Sequence, residues 1–156
     1  ERGWPTLIVA TRTLHCYLLY NVLKKVMGEN SHLLKVLMGD STSAERDDTF
    51  AWVTNTPGAV LISPLVKVGV SINALKAGII ADHVVDHEVF NQIVGRFIRK
   101  KKDTNVAHVV MFNDLQHRKM KQNSEELIRW ASEADGYELH RHRSVESCLQ
   151  LTKNYT

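Results

Sequence analysis

The chain has 156 residues, 44% of them hydrophobic and 24% charged, with 20 basic against 17 acidic residues for a formal net charge of +3. That length suits one domain with a sizeable core, and the composition excludes a disordered or fibrous chain. The charge surplus is too small to mark a nucleic-acid binder by itself, and no signal peptide or membrane-length apolar run is present, so no membrane partner is expected.

Thr6–Ala10 (TLIVA) is a short apolar run after Pro5 and reads as a buried strand. Thr11–Thr13 turn into a helical segment, Leu14–Val26, with Leu14, Leu18, Val22 and Val26 on one face, and Gly28 ends it. Leu33–Met38 is the next strand, closed by Gly39–Ser43. A helix beginning at Ser43 places Phe50 and Val53 on its apolar side and stops at Asn55, Pro57 and Gly58. Ala59–Ser63 is a third strand, followed by a loop with Gly69 near its middle. Gly78–Asp86 reads as a fourth strand and Val106–Phe112 as a fifth. Asp114–Ala134 is polar and helical with Leu127, Ile128 and Ala131 on its apolar side; Tyr137–Arg143 alternates like an exposed strand, and Val145–Leu151 closes with a short helix.

Near-continuous apolar strands alternating with helices predict a three-layer α/β/α domain around a mostly parallel sheet. Ligands of such sheets gather at the carboxyl ends of strands. Here those ends are Thr11-Arg12-Thr13, Gly39-Asp40-Ser41, Ser63-Pro64 and Asp86-His87. Cys16 and Cys148 each lie in an apolar-periodic stretch, which suits reduced thiols, and no Cys/His spacing diagnostic of a metal site occurs, so no metal is expected on this chain. Trp52 and Trp130 fall in helical segments and read as packing residues, while Trp4 is either mobile or packed on another domain.

Phe90–Lys102 (FNQIVGRFIRKKK) carries the most specific pattern. At about 100° per residue, Phe90, Ile93, Val94 and Phe97 fall on one helical face, and Gln92, Gly95, Arg96 and Arg99 fall on the other. An amide, a bare backbone and two guanidinium forks suit a phosphate chain pressed against the helix. A solvated basic face is the alternative, and Lys100–Lys102 also suit a solvated helix end. No G-x-x-x-x-G-K-[ST] loop, Rossmann glycine fingerprint, nucleophile elbow or acidic pair at a strand end accompanies these arginines. Phosphate-seeking arginines without a cradle fit a finger supplied to a nucleotide held elsewhere.

Gln92-Ile93-Val94-Gly95-Arg96-Phe97-Ile98-Arg99 resembles motif VI, Gln-x-x-Gly-Arg-x-x-Arg, of superfamily-two helicases. Ala59–Ser63 followed by Val68-Gly69-Val70-Ser71-Ile72 resembles motif V at the usual distance upstream, and Thr6–Thr13 resembles motif IV. Gly39-Asp40-Ser41-Thr42 with Arg46 resembles the segment after the next strand, and Ser124–Tyr137 the closing helix of phage UvsW-type repair helicases. The resemblance implies a second RecA-like, P-loop-NTPase-like domain lacking its own phosphate loop over residues 1–115, with a helical extension over 116–156 packing on the same domain. It further implies that Gln92, Arg96 and Arg99 face ATP, with Mg²⁺, bound mainly on an N-terminal RecA-like domain of the same polypeptide. Gly69, Ser71 and Gly95 would couple ATP state to the strand, and Thr11, Arg12, Ser63 and Lys67 would contact the nucleic-acid backbone. Many relatives have Gly-x-Asp in motif V where this chain has Gly69-Val70-Ser71; a hydroxyl replaces the carboxylate, as in UvsW-like proteins.

The expected function is therefore the C-terminal motor of a DNA helicase or translocase in recombination or repair, inactive as this chain alone, in the cytoplasm or nucleoid of a bacterial or phage-infected host. RNA as substrate, an ATP-independent module binding nucleic acid or protein, and a stand-alone α/β enzyme with an unrecognised pocket are the alternatives.

Overall fold

The computed structural model describes residues 3–64, 75–82, 84, 86–95, 97, 106–112, 116–133 and 138–151. It divides into two units, Glu1–Phe112 and Asn113–Thr156.

In the first unit, apolar runs form β1 (Thr6–Val9), β2 (Leu34–Val36), β3 (Val60–Ser63), β4 (Ala77–Ile80) and β5 (His108–Met111). All five pair in parallel in the order β2-β3-β1-β4-β5. Between them run α1 (Thr13–Met27), a 3₁₀ turn (Gly28–Leu33), α2 (Ser43–Asn55) and α3 (His87–Val94). The expected parallel α/β architecture is present. Side chains alternate across a sheet, so register assigns each residue to a face. Ile8, Ile62 and Ile79 stand side by side, as do Leu7, Leu61 and Gly78 on the other face. The first face packs on α1 through Cys16, Leu19, Tyr20, Leu23 and Met27. The second receives the Phe97 ring, directly over Gly78.

Two helices begin where side chains satisfy their orphan amides. Thr42 and Glu45 form a reciprocal capping box at α2, which also holds the Glu45 carboxyl below its usual range through the Thr42 amide and hydroxyl. Asp86 caps α3 by accepting from Glu88 N–H at 2.8 Å and Val89 N–H at 3.2 Å. The turn closing α2 needs Gly58, whose φ of 76° disfavours any side chain. Arg46 braces the other end, donating from Nη2 to the Gly39 carbonyl at 3.1 Å.

Several expectations change. The ridge Leu14, Leu18, Val22 and Val26 on α1 faces solvent, with Leu14 71% and Val26 77% exposed, and the opposite side enters the core. β4 ends at Ile80, six residues before the expected boundary, and Asp86 belongs to the next helix as its cap. Residues 138–142 form no strand, because alternation alone supplies no partner ladder. Trp4 packs within its own unit, stacked on His108 with ring centroids 5.2 Å apart.

The second unit contains α4 (Arg118–Glu133), with Ser124, Leu127 and Ala131 buried, and α5 (Val145–Leu151). Among the described residues no helix is long and apolar enough to cross a membrane.

Candidate functional site

The sheet order places the site. Chain leaving β1 goes toward β2 and β3, whereas chain leaving β4 goes toward β5 on the other side. The carboxyl ends of the adjacent β1 and β4 therefore flank the topological switch point, where parallel sheets hold ligands. Ala10 and Thr11 emerge from one strand, Ala81 and Asp82 from the other.

There the structure builds a cluster that the sequence did not disclose. Thr11 donates to Asp82 Oδ2 from its amide at 2.5 Å and from its hydroxyl at 2.8 Å. His15, one turn into α1, meets Asp82 Oδ1 through Nδ1. The side chains of His15 and Asp82 are 32% and 15% exposed, so the cluster sits at the rim of the domain and is not sealed inside it. Burial pushes the Asp82 carboxyl up, but the Thr11 hydroxyl, the Thr11 amide and His15 together outweigh it and hold the group below its usual range. Behind it, burial and the Asp82 charge raise the Cys16 thiol, which donates to the Ala10 carbonyl at 3.3 Å. Cys16 is a buried structural thiol.

Thr11 and Arg12, expected at the nucleic-acid backbone, are both exposed on this rim. Thr11 has its hydroxyl and amide committed to a carboxylate. Arg12 is the N-cap residue of α1 without any side-chain cap bond, so its role there is made by backbone alone. Ser63 is placed differently from the expectation. It is buried, and its hydroxyl donates to the Leu37 carbonyl at 2.7 Å, tying the end of β3 to the chain leaving β2. A phosphate would have to displace that bond inside the core, so Ser63 is a structural tie in this conformation.

α3 is described as far as Val94, with Gly95 as its C-cap, and over those residues an apolar face is buried and a polar one exposed. Phe90, Ile93 and Val94 are buried, as is Phe97 just beyond the helix. Burying each such side chain contributes roughly 1.5–3 kcal/mol. Gln92 is exposed and makes only a long bond, 3.4 Å, from Nε2 to Glu88 Oε1. Gly95 ends the helix with its amide on the Asn91 carbonyl, and any Cβ there would lie 2.8 Å from that oxygen. The bare backbone is thus required locally whatever approaches it. Arg96, Arg99, Lys67, Gly69 and Ser71 lie outside the described residues.

The β1–α1 turn has no glycine loop of successive free amides of the kind that cradles a triphosphate. Among the described residues no three His, Cys, Asp or Glu side chains stand together as a metal site.

Asp82 and His15 were the residues missed. Asp82 sits in IIADHVVD, an apolar run read as one strand, and its partners lie about 70 positions earlier in the sequence. The signal available was the polar pair Asp82-His83 interrupting that run.

No family model and no curated protein matches the sequence. Solved structures do match. A variant of the S. cerevisiae Dbp5 C-terminal domain, bound to a Gle1 variant and IP6, is 16% identical with a TM-score of 0.69 over 99% of this chain and 83% of that one. The longer S. cerevisiae Dbp5 bound to RNA and ADP BeF3 is 16% identical with a TM-score of 0.70, over 96% of this chain and 37% of that one. The Sulfolobus solfataricus SWI2/SNF2 ATPase core in complex with double-stranded DNA gives 17% and 0.59, over 82% of this chain and 26% of that one. T4 UvsW gives 16% and 0.61, over 85% and 30%. At these identities the likeness is one of fold: the chain has an α/β RecA-like fold, similar to that of the Dbp5 C-terminal domain and of T4 UvsW.

Proposed function

We propose that this chain is the second RecA-like motor domain of an ATP-dependent helicase or translocase acting on DNA. The observation that carries the proposal is that Phe90, Ile93 and Val94 of α3 and Phe97 beyond it are buried while Gln92 and Gly95 are exposed, in a segment whose sequence also holds Arg96 and Arg99. A helix anchored by one face presents the other to a partner. The lack of a phosphate-loop motif in this sequence supports placing ATP and Mg²⁺ on an N-terminal RecA-like domain of the complete polypeptide.

In this mechanism ATP binding draws the two RecA-like domains together and brings Arg96 and Arg99 onto the γ-phosphate. There they stabilise charge that develops as the bond to the leaving group breaks. Gln92 orients the phosphate chain or the attacking water by its planar amide. Arg12 and Lys67 hold backbone phosphates, and the motif V loop with Gly69 and Ser71 relays ATP state to that grip. Contacts of this kind position a strand without reading its bases.

DNA is favoured over RNA by the resemblance of the motifs and tail to UvsW-type helicases. The test is ATP turnover by the complete polypeptide with single-stranded, duplex and branched DNA and with RNA. The proposal expects stimulation by DNA exceeding that by RNA. Greater stimulation by RNA would move the assignment to an RNA helicase, and binding without any stimulation would make the domain an ATP-independent module.

A further inference from the structure

The Thr11 amide, the Thr11 hydroxyl and His15 converge on a single oxyanion, the Asp82 carboxylate, at the edge where the sheet's strand order reverses. We propose that Thr11 and His15 form a binding site for a nucleic-acid phosphodiester, and that Asp82 fills it as an internal competitor until the strand arrives. The proposal rests on the nucleic-acid reading above and adds to it His15 as a ligand-binding residue and Asp82 as the group displaced.

The chemistry is matched on both sides. A phosphodiester oxygen and a carboxylate oxygen are both acceptors bearing negative charge, and an amide, a hydroxyl and an imidazole N–H can each donate to either. The carboxylate thus marks where a phosphate oxygen belongs. The two anions cannot share the site, because Thr11 has one hydroxyl proton and one amide proton, and both already go to Asp82 Oδ2. Like charges on one donor set also repel. Exchange is open from solvent, since Thr11 is exposed and both His15 and Asp82 reach the surface. Arg12, exposed beside Thr11, brings a positive charge to the same rim. Asp82 lies in the connection from β4 to α3, which precedes Arg96 and Arg99 in the sequence.

The experiment measures binding of the complete polypeptide to oligothymidylate by fluorescence anisotropy across a salt series. Asp82→Asn keeps the side chain's size and removes its charge. It is expected to tighten binding about tenfold, the equivalent of a one-unit electrostatic shift. Thr11→Val should weaken binding and, combined with Asp82→Asn, cancel the gain. Unchanged or weaker binding by Asp82→Asn, or a gain that persists without the Thr11 hydroxyl, overturns the competitor. Absence of salt-dependent oligothymidylate binding by the wild-type protein overturns instead the nucleic-acid reading on which it rests. A measurement on the wild-type protein removes dependence on any variant's folding: the His15 side-chain nitrogen resonances should move as oligothymidylate saturates. Resonances that stay fixed while the strand binds would overturn the exchange.

Discussion

Replacing Gly78 by Ala should damage both stability and turnover, through one ring. A Cβ at Gly78 would lie 2.4 Å from Cζ of Phe97, 2.6 Å from Cε1 and 2.9 Å from Cε2. Carbons pack best at about 3.5–4.0 Å, so the ring must retreat by about 1 Å. It has little room to do so: Phe97 is 1% exposed, and Gly78 is fixed between Leu7 and Val109 in the sheet. Overpacking of this kind costs about 1–3 kcal/mol. Phe97 directly follows Arg96, and misplacing a catalytic group by about 1 Å can cost on the order of 100-fold in rate. Urea unfolding of the complete polypeptide reads the first effect, and DNA-stimulated ATP turnover the second. Gly78→Ala combined with Phe97→Leu should recover much of the stability, because the smaller side chain vacates the contested volume. A single variant within about 0.5 kcal/mol of wild type, with unchanged turnover, would refute the claim that the Phe97 ring is packed without spare room over Gly78.

Charging the α1 ridge should be nearly harmless. Leu18→Lys, at a solvent-facing position, is expected to change stability by less than about 0.5 kcal/mol, whereas Ile8→Ala beneath the helix should cost about 2–5 kcal/mol in the same unfolding assay. Asp82 supplies a pH dependence of definite sign. Its folded pKa is depressed, so its stabilising contribution is complete above the ordinary Asp value of about 3.9 and is lost as pH falls through the lower folded value. Stability measured between neutrality and strong acid should fall less steeply in Asp82→Asn than in wild type in that acid window, and an identical slope would remove Asp82 from the balance.

The strands were legible as near-continuous apolar runs, and the buried side of α3 by its helical spacing. α1 was not, because the run TLHCYLLYNVLKKVM is apolar around most of its circumference. Leu14, Leu18, Val22 and Val26 keep perfect helical spacing, yet Cys16, Leu19, Leu23 and Met27 do so as well, and only the sheet chooses between them. The end of β4 was hidden for a related reason, since Val84 and Val85 prolong the apolar run after pairing has stopped. The Asp82 cluster depends on strands β1 and β4 lying side by side, which local sequence does not encode. Ser63 looked like a phosphate contact because strand ends favour one, but its hydroxyl is turned to the Leu37 carbonyl. The motif VI pattern was legible in its apolar half, which is also a packing rule. Its polar half remains a chemical proposal.

That proposal is tested most directly by Arg99→Ala in the complete polypeptide, with ATP binding and DNA-stimulated ATP turnover measured side by side. Loss of a finger that acts only as charge develops should lower turnover by about 10³-fold or more while leaving ATP affinity largely intact. Turnover near wild type would contradict the assignment of this domain as the donor of the arginine.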